Sequence, residues 1–339
     1  MIRTLVVGMG QMGQSHAIAY HEHADFEIAG LVNRSQVSLE QPLDGYAVET
    51  DFKAALQRLQ PDLVSIATYS DSHAELAIAA MKSGANVFVE KPIAATTADA
   101  HRVAEIAAET GCKLVVGHIL RHHPTWQAFI GRSRAFGGPY VFRMNLNQRS
   151  KGSAWEVHKR LMDKTSPIVD CGVHYVDVMC QITDAKPVEV RAIGLRLTDE
   201  IALDMYNYGQ FQVLFSDGSC GWYEAGWGPM MSETAHFVKD VVTPNGSISL
   251  REPLRRASSD LEGHTAADVL VVAATGENEA LYDFDSPDHQ GLCNLQAEFV
   301  SHAIINNLDL TRHISDVVRS LEICLAADES VRTGKPIKL

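Results

Sequence analysis

The sequence predicts an α/β chain: a doubly wound parallel sheet first, then an α+β domain on an open, mostly antiparallel sheet. Three observations carry this expectation. Through residue 116, short apolar runs alternate with single helical patterns, as parallel strands joined by crossover helices require. A glycine turn, Gly8-Met9-Gly10-Gln11-Met12-Gly13, follows the first apolar run directly. From Tyr140 onward the periodicity becomes two, and Asp217-Gly218 and Asn245-Gly246 punctuate long strands as hairpin turns do.

Residues 2–7 read as the first strand. After it, Gly8 permits the tight turn, Gly10 lets backbone approach a pyrophosphate, and Gly13 allows close helix–strand packing. Gln11 and Met12 complete this phosphate-binding turn of Rossmann type, and a helix from Ser15 to about His23 offers its N-terminal N–H groups to the phosphates. Glu27–Asn33 reads as the second strand, Phe52–Leu59 as a helix, and Leu63–Thr68 as a buried strand. Ser72-His73-Ala74-Glu75 has the pattern of a capping box, opening a helix that stops at Ser83-Gly84. Asn86–Val89 is the next strand. Thr96 and Asp99 cap a helix with Ala100, Val103, Ala104 and Ala107 on one face; Gly111 ends it, and Lys113–Val116 is a further strand. Ligands of such sheets bind at the carboxyl ends of the strands, where Gly8, Thr68 and Glu90-Lys91 all fall. About 20 residues past the glycines an NAD site carries Asp or Glu; here the chain has Asn33-Arg34-Ser35. With no carboxylate to repel a 2′-phosphate, Arg34 and Ser35 favour NADP or dual use. The alternative is that Arg34 stacks on adenine and Asn33 takes the ribose of NAD.

Pro124–Phe136 reads as a linking helix, broken by Gly137-Gly138-Pro139. Tyr140, Phe142, Met144 and Leu146 then form an apolar strand face opposite Arg143, Asn145, Asn147 and Arg149. Next comes a helix with Ser166 as N-cap and Pro167 at its first position. On it Asp170, His174 and Asp177 share one face, beside an apolar stripe of Val169, Val173, Val176 and Cys180. Such a helix suits the edge of a cleft, and histidine suits proton transfer near neutrality. A surface helix with a carboxylate–imidazole pair is the other reading. Strands are expected at Val188–Leu197, Tyr206–Phe215, Ser219–Trp227 and Phe237–Thr243, and helices at about 294–306 and 315–332. Ser315 is the expected cap of the last helix, with Val317, Val318, Leu321, Cys324 and Leu325 facing inward. Residues 251–280 have no assignable pattern. The uncovered sheet side, with Trp222 and Tyr223, needs a partner.

A formal net charge of −13 with no long block of either sign argues against nucleic acid or an anionic membrane as partner. No run reaches the roughly 18 apolar residues of a membrane span, and the N-terminus enters a strand without a signal-peptide pattern. Six scattered cysteines without Cys-x-x-Cys suggest neither zinc nor a redox pair, so a cytoplasmic setting is expected. His118, His122 and His123 invite a metal reading, but among 15 histidines such clustering needs none. No metal is assigned.

Phe88-Val89-Glu90-Lys91-Pro92 ends a strand, where a lysine projects over the nicotinamide end of a cofactor and its ammonium polarises an oxygen; a surface lysine at a strand end is the plainer alternative. Pro92 stiffens the turn, where a cis peptide is an option. With these residues the chain resembles the glucose–fructose oxidoreductase / inositol dehydrogenase (Gfo/Idh/MocA) family. The likeness rests on Gly8-x-Gly10-x-x-Gly13, His73, Glu90-Lys91-Pro92, Arg121 and Pro124, Asp170-x-Gly172-x-His174-x-x-Asp177, and the pattern from Phe299 to Gly334. It covers nearly the whole chain.

The resemblance implies a dinucleotide-binding domain over 1–122 and a substrate-binding, oligomerising domain over 123–339. It implies a catalytic trio: His174 takes the proton from a substrate hydroxyl, Lys91 holds that oxygen, and Asp170 orients the substrate or its partners in the trio. Thr68, His73, Glu90 and Lys91 join the glycine turn and Asn33-Arg34-Ser35 as the expected cofactor set, and His118, Asn147, Arg149 and Trp155 are substrate candidates; Trp155 could equally be core. The implied activity is an NAD(P)-dependent dehydrogenase of a secondary hydroxyl in a sugar, cyclitol or related polyol, working as a homodimer or homotetramer through the open sheet face. Two alternatives are glycoside cleavage or elimination through transient oxidation, and a silent dinucleotide sensor. The chain departs from the family in having Thr165-Ser166-Pro167-Ile168-Val169 where glycines often precede the Asp, and Thr68-Tyr69 for the usual Thr-Pro; both bear on the substrate.

Overall fold

The structure is a computed structural model that describes residues 1–232, 238–251 and 269–339. Its first part alternates strand and helix: β1 (Ile2–Val7), α1 (Gln11–Glu22), β2 (Phe26–Val32), β3 (Val48–Glu49), α2 (Phe52–Leu59), β4 (Leu63–Ile66), α3 (His73–Lys82), β5 (Asn86–Val89), α4 (Thr97–Thr110) and β6 (Leu114–Val116). The six strands pair in the order β3-β2-β1-β4-β5-β6, every neighbouring pair parallel. The order reverses between β1 and β4, and their carboxyl ends mark the point where such sheets take ligands. The strands are apolar runs with no alternation because helices cover both faces. Helix α1 begins at Gln11, four residues before the expected Ser15, so the last glycine of the turn is already helical. Ser72 does not cap α3: its hydroxyl donates to the Tyr69 carbonyl at 2.8 Å, so the expected capping box is absent. Thr96 does cap α4, accepting from Asp99 N–H at 3.1 Å, while Ala104 is only half-buried.

The second part continues with α5 (Pro124–Phe136), β7 (Val141–Gln148), α6 (Ser153–Leu161), α7 (Pro167–Ile182), β8 (Pro187–Leu195), β9 (Tyr208–Phe215), β10 (Cys220–Trp227), β11 (Lys239–Thr243), β12 (Gly246–Arg251), β13 (Val269–Ala274) and β14 (Ala280–Asp283). Helices α8 (His289–Ile305) and α9 (Thr311–Thr333) and strand β15 (Ile337–Lys338) close the chain. The described strands form a sheet ordered β14-β13-β12-β11-β7-β10-β9-β8-β15, antiparallel except where β7 runs parallel to β10. Residue 237 of the expected Phe237–Thr243 strand, and residues 252–268 of the unassigned stretch, lie outside the described residues.

Packing divides the chain into two compact units, 1–122 with 287–318, and 123–286 with 319–339. Residues 287–318, counted with the second domain from sequence, therefore pack with the first unit. The reason is hydrophobic: Cys293, Ala297 and Val300 of α8 share a buried core with Met9, Tyr20, Phe26 and Leu31. Within the second unit, α7 packs on β9 and β10, and α5 on β11 to β13. Among the described residues the opposite sheet face carries exposed Val141, Ile193, Leu195 and Leu214. Tyr223 is not on that face; it is fully buried under α7, stacked on Tyr175 at 5.4 Å, while Trp222 lies on the open side. Asn145, expected on the polar strand face, is buried, its carboxamide oxygen accepting from Val238 N–H at 2.6 Å. Ser315 sits inside α9, which starts at Thr311, and Leu325 is half-buried.

Candidate active site

In the first unit the glycine turn is shaped by close approach. Gly8 has φ +91°, a left-handed value that favours glycine. A Cβ on Gly13 would stand 1.7 Å from the Gly8 carbonyl oxygen, so α1 meets β1 only because that side chain is missing. Gly10 differs: a Cβ there would meet no atom within 4 Å. The space beside Gly10 is thus free for a ligand, next to the uncapped N-terminus of α1, whose first turn holds no acidic side chain. Unpaired N–H groups at a helix start suit a phosphate, so these residues fit a dinucleotide. Asn33 supports the turn: its carboxamide oxygen accepts from Met9 N–H at 2.9 Å and its nitrogen donates to the Ser35 carbonyl at 2.8 Å. Beyond β2, Ser35, Val37, Asp44, Tyr46 and Thr50 line an open groove.

The Lys91 backbone is held by a buried His16–Glu90 pair. His16, on α1, donates from Nε2 to Glu90 at 2.7 Å, and the other Glu90 oxygen accepts from Lys91 N–H at 3.1 Å. Burial works to raise the Glu90 pKa, but the His16 hydrogen bond and the His16 and Lys91 charges hold it below the ordinary value. Glu90 is therefore an anion that fixes the lysine's backbone. The His73 ring nitrogens lie 2.7 Å from the Pro92 carbonyl oxygen and 2.9 Å from that of Thr68, bracing the segments after β4 and β5 against each other. Burial pushes its pKa down against the pull of those carbonyls. The Thr68 and Ser72 hydroxyls share a hydrogen bond of 2.7 Å. The Lys91–Pro92 bond is cis. Both Glu90 and His73, expected among the cofactor contacts, thus have their polar atoms on protein partners. His16 was not singled out from sequence, although its place three residues after Gly13 was a readable signal.

In the second unit Ser166 caps α7 as expected, accepting from Val169 N–H at 3.1 Å; its hydroxyl donates to half-buried Asp328 at 2.7 Å, which also accepts from Tyr206. The helix is not the surface element of the plainer reading: His174 and Asp177 are buried with nearly all its other residues, and Asp170 is half-buried. Gln181 donates to Asp177 at 2.9 Å, one helical turn on. Because β7 and β10 are parallel, their carboxyl ends lie together, with Asn147 beside Gly226 and Gln148 beside Trp227. Asn147 donates to Glu224 at 2.7 Å. The Trp227 indole N–H donates to Gln148 at 2.7 Å, and the His158 ring lies on it at 4.3 Å and 13°. Burial pushes the His158 pKa down to about 4, against the attraction of Asp170. Trp155 donates instead to Glu200 at 3.2 Å. Gln148, His158 and Trp227 were missed from sequence; His158 three residues beyond Trp155, on the same helical face, was the available hint.

His118 is buried at the end of β6 in the first unit, near His313, whereas His123 belongs to the second and accepts from Thr125 N–H. Arg149 is exposed, just past β7. Among the described residues no three His, Cys, Asp or Glu side chains are grouped to hold a metal ion.

Comparison with known proteins gives two family-model matches: residues 2–118 to the oxidoreductase family with NAD-binding Rossmann fold, and residues 130–238 to the GFO/IDH/MocA C-terminal domain. The chain is 28% identical to UDP-N-acetylglucosamine 3-dehydrogenase of Acidithiobacillus ferrooxidans over 57% of its own length and 58% of that protein's. It is 23% identical to scyllo-inositol 2-dehydrogenase (NAD(+)) of Bacillus subtilis over 100% of its own length and 96% of that relative's. Its fold matches an oxidoreductase from Agrobacterium radiobacter, solved with NAD+, L-tartaric acid and magnesium, with TM-score 0.80, 16% identity, and coverage of 99% and 98% of the two chains.

Proposed function

The chain belongs to the GFO/IDH/MocA oxidoreductase family, and from that premise we propose that it is an NAD(P)-dependent dehydrogenase of a secondary hydroxyl in a sugar, cyclitol or related polyol. The observation that carries this reading is Lys91, its backbone N–H fastened to a buried anion at the carboxyl end of β5, in the unit that bears the glycine turn. The relatives' names, UDP-N-acetylglucosamine 3-dehydrogenase and scyllo-inositol 2-dehydrogenase, point to the same substrate class.

The bound nicotinamide supplies the hydride acceptor. The Gln11, Met12 and Gly13 backbone receives the pyrophosphate, and Asn33, Arg34 and Ser35 face the adenosine end. The Lys91 ammonium holds the substrate oxygen and stabilises negative charge that develops there. His174 takes the hydroxyl proton on its imidazole, and Asp170 orients the substrate. Arg34 favours a 2′-phosphate and so NADP, whereas Asp44 in the groove beyond β2 opposes one. His118, Asn147, Arg149 and Trp155 remain substrate candidates, and a cytoplasmic oligomer built on the open sheet face completes the proposal. A screen of sugars and inositols with NAD and NADP in parallel, read by absorbance of the reduced cofactor, tests it. The reading fails if no polyol reduces either cofactor.

A further inference from the structure

We propose that His158 is a further substrate-contacting residue, its imidazole laid on Trp227 to hydrogen-bond a substrate hydroxyl through Nδ1. The inference rests on the dehydrogenase reading above and adds a specificity contact to it.

Three observations converge. The His158 and Trp227 rings are nearly parallel at 4.3 Å, and Trp227 is itself tied to Gln148 at 2.7 Å, so the imidazole has a fixed plane. His158 Nδ1 is buried and has no hydrogen-bond partner among the described residues. Asp170 acts on the His158 charge, which puts the imidazole in that carboxylate's neighbourhood. A ring serving only to cover an indole needs no nitrogen, and a buried polar atom without a partner is unfavourable unless a ligand supplies one. The imidazole is neutral at neutral pH, since burial pushes its pKa to about 4. It therefore offers one N–H and one lone pair, a match for a hydroxyl, which both donates and accepts. An anionic substrate group would instead call for a cation there. Trp155, three residues earlier on α6, has its indole N–H on Glu200, whereas His158 keeps a buried nitrogen without a partner among the described residues.

The test is His158→Phe, which keeps a flat ring on Trp227 and removes both nitrogens. For the best polyol of the wild-type screen we expect KM to rise on the order of tenfold. Melting temperature and NAD(P) affinity should hold. Deoxy analogues of that polyol locate the contact: removing one hydroxyl should weaken the wild type and leave His158→Phe unchanged. If His158→Phe fails to fold, His158→Gln goes through the same series. Wild-type KM in a folded variant, or equal losses in both proteins for every deoxy analogue, overturns the proposal. Polyol binding followed by tryptophan fluorescence separates the two readings. Binding that depends on His158 without cofactor reduction sinks only the dehydrogenase reading, and turnover indifferent to His158 sinks only this one. A protein that neither binds nor oxidises any polyol sinks both.

Discussion

Glu90 keeps its charge in a place that opposes it. Removing His16 strips the buried carboxylate of its side-chain hydrogen bond and leaves it only Lys91, so His16→Ala should cost roughly 3 kcal/mol of stability, read from urea unfolding. The pH dependence has a definite sign. The Glu90 pKa lies below its ordinary 4.5 in the folded chain. Its contribution is therefore complete above that ordinary value and is lost as pH falls through the folded one. Glu90→Gln should flatten the acid limb of the wild-type stability curve, and identical limbs would show that other carboxyls govern acid unfolding. The proposed catalytic groups give a different signature. Lys91→Ala and His174→Ala should each abolish turnover, by about 100-fold or more, while nicotinamide fluorescence titrations show cofactor binding largely intact. A His174→Ala enzyme with the full rate across pH would remove the histidine from the proton transfer.

At the level of strand and helix, the glycine turn separates two duties that one motif combines. Gly13→Ala places a Cβ against the Gly8 carbonyl and must push α1 off β1, lowering the melting temperature. Gly10→Ala meets nothing in the protein, so it should melt as the wild type does and still lose NAD(P) affinity. If Gly10→Ala bound cofactor normally, the phosphate would lie elsewhere. The same elements show what the sequence could reveal. Apolar runs and single helices made β1, β5, α2 and α5 readable to within a residue, because there propensity, capping and burial agree. Reading failed where a third partner intervenes. Ser72 looks like a cap, but its hydroxyl is taken by Tyr69. β3 is two residues long and exists only through pairing with β2. Tyr223 fills the space under α7, which no alternation in β10 reveals. The candidate motifs stand out in the sequence because each is local; the partners of His16, Gln148, His158 and Trp227 were not legible, because they lie far along the chain.

For the molecule as a whole, the sheet face turned away from α5 and α7 is the feature that most needs company. Exposed Ile193, Leu195 and Leu214 on adjacent strands β8 and β9 are apolar area left in water. Sedimentation should find a dimer or tetramer, and Ile193→Glu with Leu195→Glu should shift it to monomer; a monomeric wild type would leave this face without its proposed partner. No described helix is long and apolar enough to cross a membrane. The return of residues 287–318 to the first unit bears on synthesis. As the chain leaves the ribosome, 1–122 emerges complete in its strands but without Cys293, Ala297 and Val300, which fill the core beside Met9 and Tyr20. At translation speeds of about 5–20 residues per second, the missing helix follows after roughly 10–40 s. The nascent first unit must wait that long with an apolar wound open, a natural point for chaperone engagement. A 1–122 fragment made alone should aggregate, and adding a segment carrying α8 should restore it to solution.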